Sequence, residues 1–140
     1  MSVPVNQRSH GKLEACTKAY ELAVYTLKIT KNKNIFIEEY QDAITDKIIA
    51  CALDIYLLTG GANDIVVKTK EDSESIRCRI GMQREALKKC GDLNRLIILA
   101  KPIFHLSSKR VKYWAGLVRE TRTLIKFWSK SDMDRFRTLI

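Results

Sequence analysis

Apolar positions recur at helical spacing along most of the chain, and short polar or glycine-bearing breaks divide the pattern into four long segments. The first covers about residues 12–30, with Cys16, Ala19, Tyr20, Ala23 and Leu27 on its apolar face. Lys31-Asn32-Lys33-Asn34 closes it, and Asn34 carries a side chain suited to capping the next helix. The second covers about residues 35–59, where Phe36, Tyr40, Ala43, Ile44, Ile48, Cys51, Ile55 and Leu58 keep the spacing of one buried stripe. Gly60-Gly61 is expected to stop it, because glycine accepts the left-handed conformation found at helix C-termini. Ile65-Val66-Val67, within the connection 62–71, is the one β-branched run. A strand without a partner strand is not stable, so this run is expected to form an ordered loop draped over the helices.

The third segment opens near Asp72 or Ser73 and turns Ile76, Ile80, Leu87, Cys90, Ile97 and Ile98 inward. Gln83 and Asn94 fall on or beside that side and need hydrogen-bond partners on another helix. Pro102 is expected to end this helix after Lys101, since proline disfavours helix in the residue before it. The fourth segment runs from Ser107 or Ser108 to about Ser129, with Val111, Trp114, Val118, Ile125 and Trp128 as its apolar stripe. Ser131-Asp132 is placed to cap one further short helix over 133–139.

Four amphipathic helices with short links predict an all-α, up-and-down antiparallel four-helix bundle. It forms a single domain over residues 12–140, preceded by a flexible segment 1–11. With 140 residues and 46% hydrophobic content, the chain can bury a real core. Tyr113, Leu117, Leu124 and Phe127 make the fourth helix apolar on a second side, which suits either a subunit interface or a wide core-facing arc. The first residues lack the apolar region of a signal peptide, and the longest apolar run, 48–58, is broken by Asp54, so a cytoplasmic location is expected. Cys16, Cys51, Cys78 and Cys90 form no C-x-x-C pair and read as small core residues in a reducing compartment.

Charge changes the picture. Residues 1–70 hold 9 Lys+Arg against 8 Asp+Glu, whereas residues 71–140 hold 16 against 8. On the fourth helix Lys109, Lys112, Arg119, Lys126 and Lys130 form a basic stripe with Arg122 at its edge. Four of them, Lys112, Arg119, Lys126 and Lys130, lie within roughly 40° of one another at 100° per residue. No acidic residue interrupts the line, Glu120 pointing elsewhere. Like charges at this spacing repel one another, and a polyanion would relieve the repulsion. The third helix adds Arg77, Arg84 and Lys88 on one face, with Arg79 and Lys89 expected to widen the patch. Together Arg77, Arg84, Lys88, Lys109, Lys112, Arg119, Arg122 and Lys126 are the candidate phosphate contacts, giving strong salt dependence and little base discrimination. Tyr113 is the aromatic placed to stack on an unpaired base.

Other chemistry finds no support in the spacing. Di-metal bundles need Glu-x-x-His pairs, but Gln7 and Pro102 stand where the glutamates would precede His10 and His105. Helical ribonucleases with an Arg four to six residues before a His are excluded too, because Leu99, Ala100 and Lys101 fill that window. Gly60-Gly61-Ala62-Asn63 lacks the Gly-Lys-Ser/Thr of a phosphate loop. Glu38, Asp42 and Asp46 recur every four residues and read first as a solvated face, with divalent-cation binding or pairing to a basic subunit face as alternatives. No catalytic residue, metal site or cofactor is expected.

Several short stretches resemble a known family. They are Ala52-Leu53-Asp54-Ile55 leading to Gly61-Ala62-Asn63, then Arg79, Gln83, Ala86-Leu87 and Cys90, then Leu96-Ile97-Ile98-Leu99-Ala100. Tyr113-Trp114, Leu117-Val118, Arg122 and Trp128-Ser129-Lys130-Ser131 complete the set. Residues 20–132 thus look like the accessory variability determinant proteins of diversity-generating retroelements, within a bacterial four-helix-bundle superfamily that includes proteins encoded in ribosomal RNA intervening sequences. The resemblance implies a homopentameric barrel that binds a reverse transcriptase and nucleic acid during error-prone copying of a template RNA. Many relatives carry a Pro-Lys and an Arg before the second helix. Here Thr30-Lys31-Asn32-Lys33-Asn34 has no Pro or Arg, so contacts made by those residues are not carried over. Two readings stand beside it: a protein of the ribosomal-RNA-insertion branch, and a protein–protein scaffold or structural oligomer with no nucleic-acid ligand.

Overall fold

Each of the four apolar segments contributes a long helix, though the buried residues differ from the expected stripe in the first and part of the second. The structure is a computed structural model and describes the backbone of residues 5–68 and 72–139, with side chains from Lys12 onward save Leu13 and Leu139. The long helices are α1 (Val5–Thr30), α2 (Asp46–Asp64), α3 (Ser73–Ile103) and α4 (Ser108–Arg135). Each packs on the next in sequence, and α1 closes on α4, which makes an all-α four-helix bundle without a strand among the described residues. Helix α1 already runs at Val5, ahead of the expected start at Lys12. Residues 1–4 of the expected flexible segment lie outside the described residues.

Trp114 sits at the centre, fully buried. Its Nε1–H donates to Thr26 Oγ1 at 3.0 Å, and its ring meets Tyr25 and Phe36 edge-on at 6.3 and 6.2 Å. Three other buried hydroxyls turn back on their own helix, while Thr45 Oγ1 and Ser131 Oγ find no partner among the described residues. Thr30 donates to the Thr26 carbonyl at 2.8 Å, Thr59 to Ile55 at 2.6 Å and Thr121 to Leu117 at 2.7 Å. This satisfies each polar atom without a cross-helix partner and lets threonine occupy core positions. The inward face of α1 is therefore Ala15, Ala19, Leu22, Ala23, Thr26, Ile29 and Thr30, while the expected Tyr20 and Leu27 are exposed.

The second helix begins later than its hydrophobic spacing suggests. Asn34 does not cap it; its backbone N–H instead donates to Asn32 Oδ1 at 3.1 Å. Phe36 is pulled fully into the core against Phe104, with ring centroids 4.9 Å apart. A 3-10 turn (Glu38–Tyr40) and a π-helical turn (Gln41–Thr45) then bring the chain into α2, turning Ile44 and Thr45 inward. Ala43 of the expected stripe is exposed. At the other end Gly60 and Gly61 do not stop the helix, which continues to Asp64. Gly61 lies against α3, where an added Cβ would collide with the methyl group of Met82. The glycine lies inside the helix beneath the flexible Met82 side chain and does not terminate it.

Helix α3 likewise runs past Lys101 to Ile103 with Pro102 inside its last turn. The carbonyl that proline leaves without a helical donor is that of Ile98, on the solvent side. Ile98 itself is 62% exposed and not part of the core, because its neighbour Ile97 takes the inward position. The helix closes with Leu106 N–H donating to the Lys101 carbonyl at 2.9 Å across His105, which adopts a left-handed φ of 53°. Helix α4 starts at Ser108, within the expected bounds, and Ser107 caps it, its Oγ accepting from Arg110 N–H at 3.1 Å. That helix continues through Ser129 to Arg135, so Ser131 and Asp132 are buried helix interior rather than a cap. Only a 3-10 turn (Arg137–Leu139) follows.

The stretch 65–68 is extended and loop-like, and Val67 packs with Ile76 and Ile80 in a second small core beside Ile65, Met133 and Phe136. A buried ion pair anchors this end of the bundle. Arg79 donates from Nε and Nη2 to the two carboxylate oxygens of Asp132 at 2.9 and 2.6 Å, and from Nη1 to the Ile65 carbonyl at 3.1 Å. Gln83 adds its Nε2–H to Asp132 Oδ2 at 2.8 Å, which is the cross-helix partner its position required. Asn94 is exposed.

All four cysteines are free; Cys51 and Cys90 are buried, Cys16 is half-buried, and Cys78 is exposed rather than in the core. Burial pushes the Cys90 thiol up to about 12, against a smaller downward pull from Arg122. The unfolded chain ionises this thiol near pH 9 and the folded chain does not, so the associated stability is full below that pH and is lost as pH rises toward 12. Cys90→Ala is expected to lose less stability than wild type between neutral pH and pH ~10.5, as urea denaturation would measure. In the native protein iodoacetamide should label Cys78 well before Cys51 and Cys90, as peptide mass spectrometry would show.

Candidate nucleic-acid interface

Helices α3 and α4 lie side by side, and Arg84, Arg119, Arg122 and Lys126 of the eight candidate cations line the surface between them. Arg77, Arg84 and Lys88 on α3 and Lys109, Lys112, Arg119, Arg122 and Lys126 on α4 are all exposed. Their placement follows from the core. On α4 the buried Trp114, Val118, Thr121 and Ile125 hold one side; Arg122, Lys126 and Arg119 fall roughly 70–130° away toward α3, Lys112 and Lys130 point about 150° away to solvent, and Lys109 lies about 150° away on the α1 side.

Two adjoining hollows run along the seam. The first, about 280 Å³, is lined by Cys90, Gly91 and Asn94 of α3 and by Ala115, Val118, Arg119, Arg122, Thr123 and Lys126 of α4. Gly91 and Ala115 have little or no side chain, which leaves the floor open between the helices. Polar and cationic groups dominate it. The second, about 700 Å³, shares Thr123 and Lys126 with the first and continues toward the C-terminal end of α4. Its walls are Leu87, Phe127 and Met133, with Arg84, Lys126, Lys130, Ser129 and Asp134 around them. Arg84 Nη2 stands 3.7 Å from Met133 Sδ. Arg77, Lys88, Lys109 and Lys112 are exposed but do not line either hollow.

None of the eight candidate cations is salt-bridged to a carboxylate among the described residues. Lys18, Arg79, Lys89, Arg95 and Arg137 elsewhere do have such partners, while Lys28, Lys31, Lys47 and Lys101 likewise have none among the described residues. Lys18 binds Glu21 at 3.0 Å and Glu120 at 3.2 Å, which places Glu120 on the α1 side of α4, away from the stripe. Arg95 binds Asp92 at 3.3 Å and Arg137 binds Asp134 at 3.4 Å. Two residues expected to widen the patch do not. Arg79 is buried on Asp132, and Lys89 turns toward α2 to meet Asp54 at 3.6 Å. The spacing already carried the signal for Arg79, which precedes Gln83, Ala86 and Cys90 by four, seven and eleven on the buried stripe.

Tyr113 does not serve the seam. It is exposed but lies edge-on to Tyr25 of α1, with centroids 4.9 Å apart. The aromatic beside the cations is Phe127, which sequence reasoning assigned only to surplus apolar surface. It is 66% exposed and lines the second hollow. Tandem placement with Lys126 is the sequence signal that points to it.

The acidic series Glu38, Asp42 and Asp46 is exposed and divided among the 3-10 turn, the π turn and α2, so the expected single helical face does not form. Gln41 Nε2–H donates to Asp46 Oδ1 at 2.7 Å. Among the described residues no group of three potential metal ligands comes together. His105 is exposed, and the side chain of His10 lies outside the described residues. No helix among the described residues is long and apolar enough to cross a membrane. Compared with known proteins, the chain matches no family, no curated protein and no solved structure.

Proposed function

We propose that this is a non-enzymatic nucleic-acid-binding accessory protein that works in the cytoplasm. Arg77, Arg84, Lys88, Lys109, Lys112, Arg119, Arg122 and Lys126 hold phosphates of RNA or DNA across the α3–α4 seam. One observation carries the reading: eight exposed cations occupy adjacent helices with no salt-bridged carboxylate of their own fold among the described residues. Such a surface is stabilised by a polyanion and reads backbone rather than bases. A reverse transcriptase of a diversity-generating retroelement as partner, template RNA or its cDNA as ligand, and a homopentameric assembly come from the family resemblance and belong to the same proposal.

Filter binding of RNA and DNA oligonucleotides over a range of salt concentrations tests it. The logarithm of the affinity should fall linearly with the logarithm of salt concentration, with a slope of about −0.7 to −0.9 per phosphate contacted. Absence of binding at low salt, or a salt-independent affinity, ends the proposal. Co-purification with a polymerase that survives nuclease treatment, without any oligonucleotide binding, would favour the protein–protein scaffold.

A further inference from the structure

We infer that the seam takes a single strand in preference to a duplex, seating an unpaired base on Phe127 in the apolar hollow while neighbouring phosphates lie along Arg119, Arg122 and Lys126. This rests on the nucleic-acid reading above. The argument starts from the division of the seam into two chemically different halves that meet at Thr123 and Lys126. One half presents guanidinium and ammonium groups with the Asn94 amide. The other presents a phenyl ring, Leu87 and Met133, rimmed by Arg84 and Lys130.

A nucleotide has the same division. Its phosphate is anionic, its base is a flat apolar-faced ring, and the two are separated by one sugar. Lys126 and Phe127 leave the helix about 100° apart, yet both line the second hollow, so a cation and an aromatic ring border the same space. The apolar hollow, about 700 Å³, has room for a base. Phe127 is exposed among cations, where it gains nothing from the core. Stacking on a base covers the ring, and Arg84, which lines the same hollow, supplies a cation for the adjoining phosphate. A duplex hides its base faces within its own stack and offers the seam only phosphates. It therefore engages the cations but not the phenyl ring. Asp134 stands at the rim as the one carboxylate of the hollow, and its charge is met by Arg137 at 3.4 Å.

Fluorescence anisotropy with three short labelled oligonucleotides of one length tests the inference: a single strand, its duplex, and a single strand with abasic sites. Wild-type protein should bind the intact single strand about tenfold more tightly than the abasic strand. Phe127→Ala should lower the ratio of single-strand to duplex affinity by about the same factor, and Phe127→Trp should restore it. A strand carrying 2-aminopurine should be quenched by wild type and not by Phe127→Ala. An abasic strand that binds as well as the intact one, or a ratio unmoved by Phe127→Ala, overturns the base seat while leaving phosphate binding standing. Light scattering that shows Phe127→Ala to dissociate an oligomer also overturns it, by assigning the ring to a subunit contact. If wild type binds none of the three, the nucleic-acid reading falls as well.

Discussion

Asp132→Ala should destabilise the bundle by about 3–5 kcal/mol, the largest effect expected of any single change at this end of the fold. The carboxylate and the Arg79 guanidinium are 1% and 6% exposed, and they meet through two parallel hydrogen bonds. Removing the carboxylate strands a buried cation that keeps the Ile65 carbonyl as its acceptor, and it orphans the Gln83 amide. Desolvation of the arginine is then no longer offset. Phe136, whose ring centroid lies 5.7 Å from the Arg79 guanidinium carbon, does not replace an anion. The paired change Arg79→Met with Asp132→Leu should retain more stability than Asp132→Ala alone, because it removes both charges and keeps the volume. Urea denaturation followed by circular dichroism measures all of these. A loss below about 1 kcal/mol for Asp132→Ala would mean that water reaches the pair.

Combined reversal of Lys112, Arg119 and Lys126 to glutamate should weaken oligonucleotide binding by about a hundredfold or more at low salt. Each reversal removes a cation and installs an anion on the line a phosphate backbone would follow. All three side chains are exposed, so the core does not register the change. Helicity should stay intact, since the substitution also converts the repulsive spacing of four between Arg122 and Lys126 into an attractive one. Unchanged affinity in the variant, with wild-type circular dichroism, would show that the stripe is only a solvated face.

Local patterning was legible wherever one residue type has one use. Trp114, Val118, Ile125 and Trp128 repeat at helical spacing and are buried, and Ser107 caps α4. It misled wherever a residue has two uses that differ only in what lies across from it. Thr26 and Thr30 look like surface residues until their hydroxyls are seen to be satisfied within the bundle. Gly61 looks like a stop and is a contact with α3. Ser131-Asp132 has the chemistry of a cap, yet the carboxylate answers an arginine 53 residues earlier, and no window along the chain displays that. The candidate interface divides in the same way. The basic stripe of α4 is written in its spacing. The removal of Arg79 and Lys89 from the patch, and the sharing of one hollow by Phe127, Leu87 and Arg84, depend on how α3 is set against α4 and α2.

The long separation between Arg79 and its counter-ion also sets an order of events on the ribosome. As the nascent chain emerges, α3 appears with a guanidinium that has no anion to accompany it inward. The Ile65 carbonyl is already made, but it satisfies only one of the groups that must leave water. Docking of this arginine has to wait until Asp132, 53 residues later, has emerged as well. The first three helices would therefore gather as a loose, hydrated assembly, and the last turns of α4 would close it.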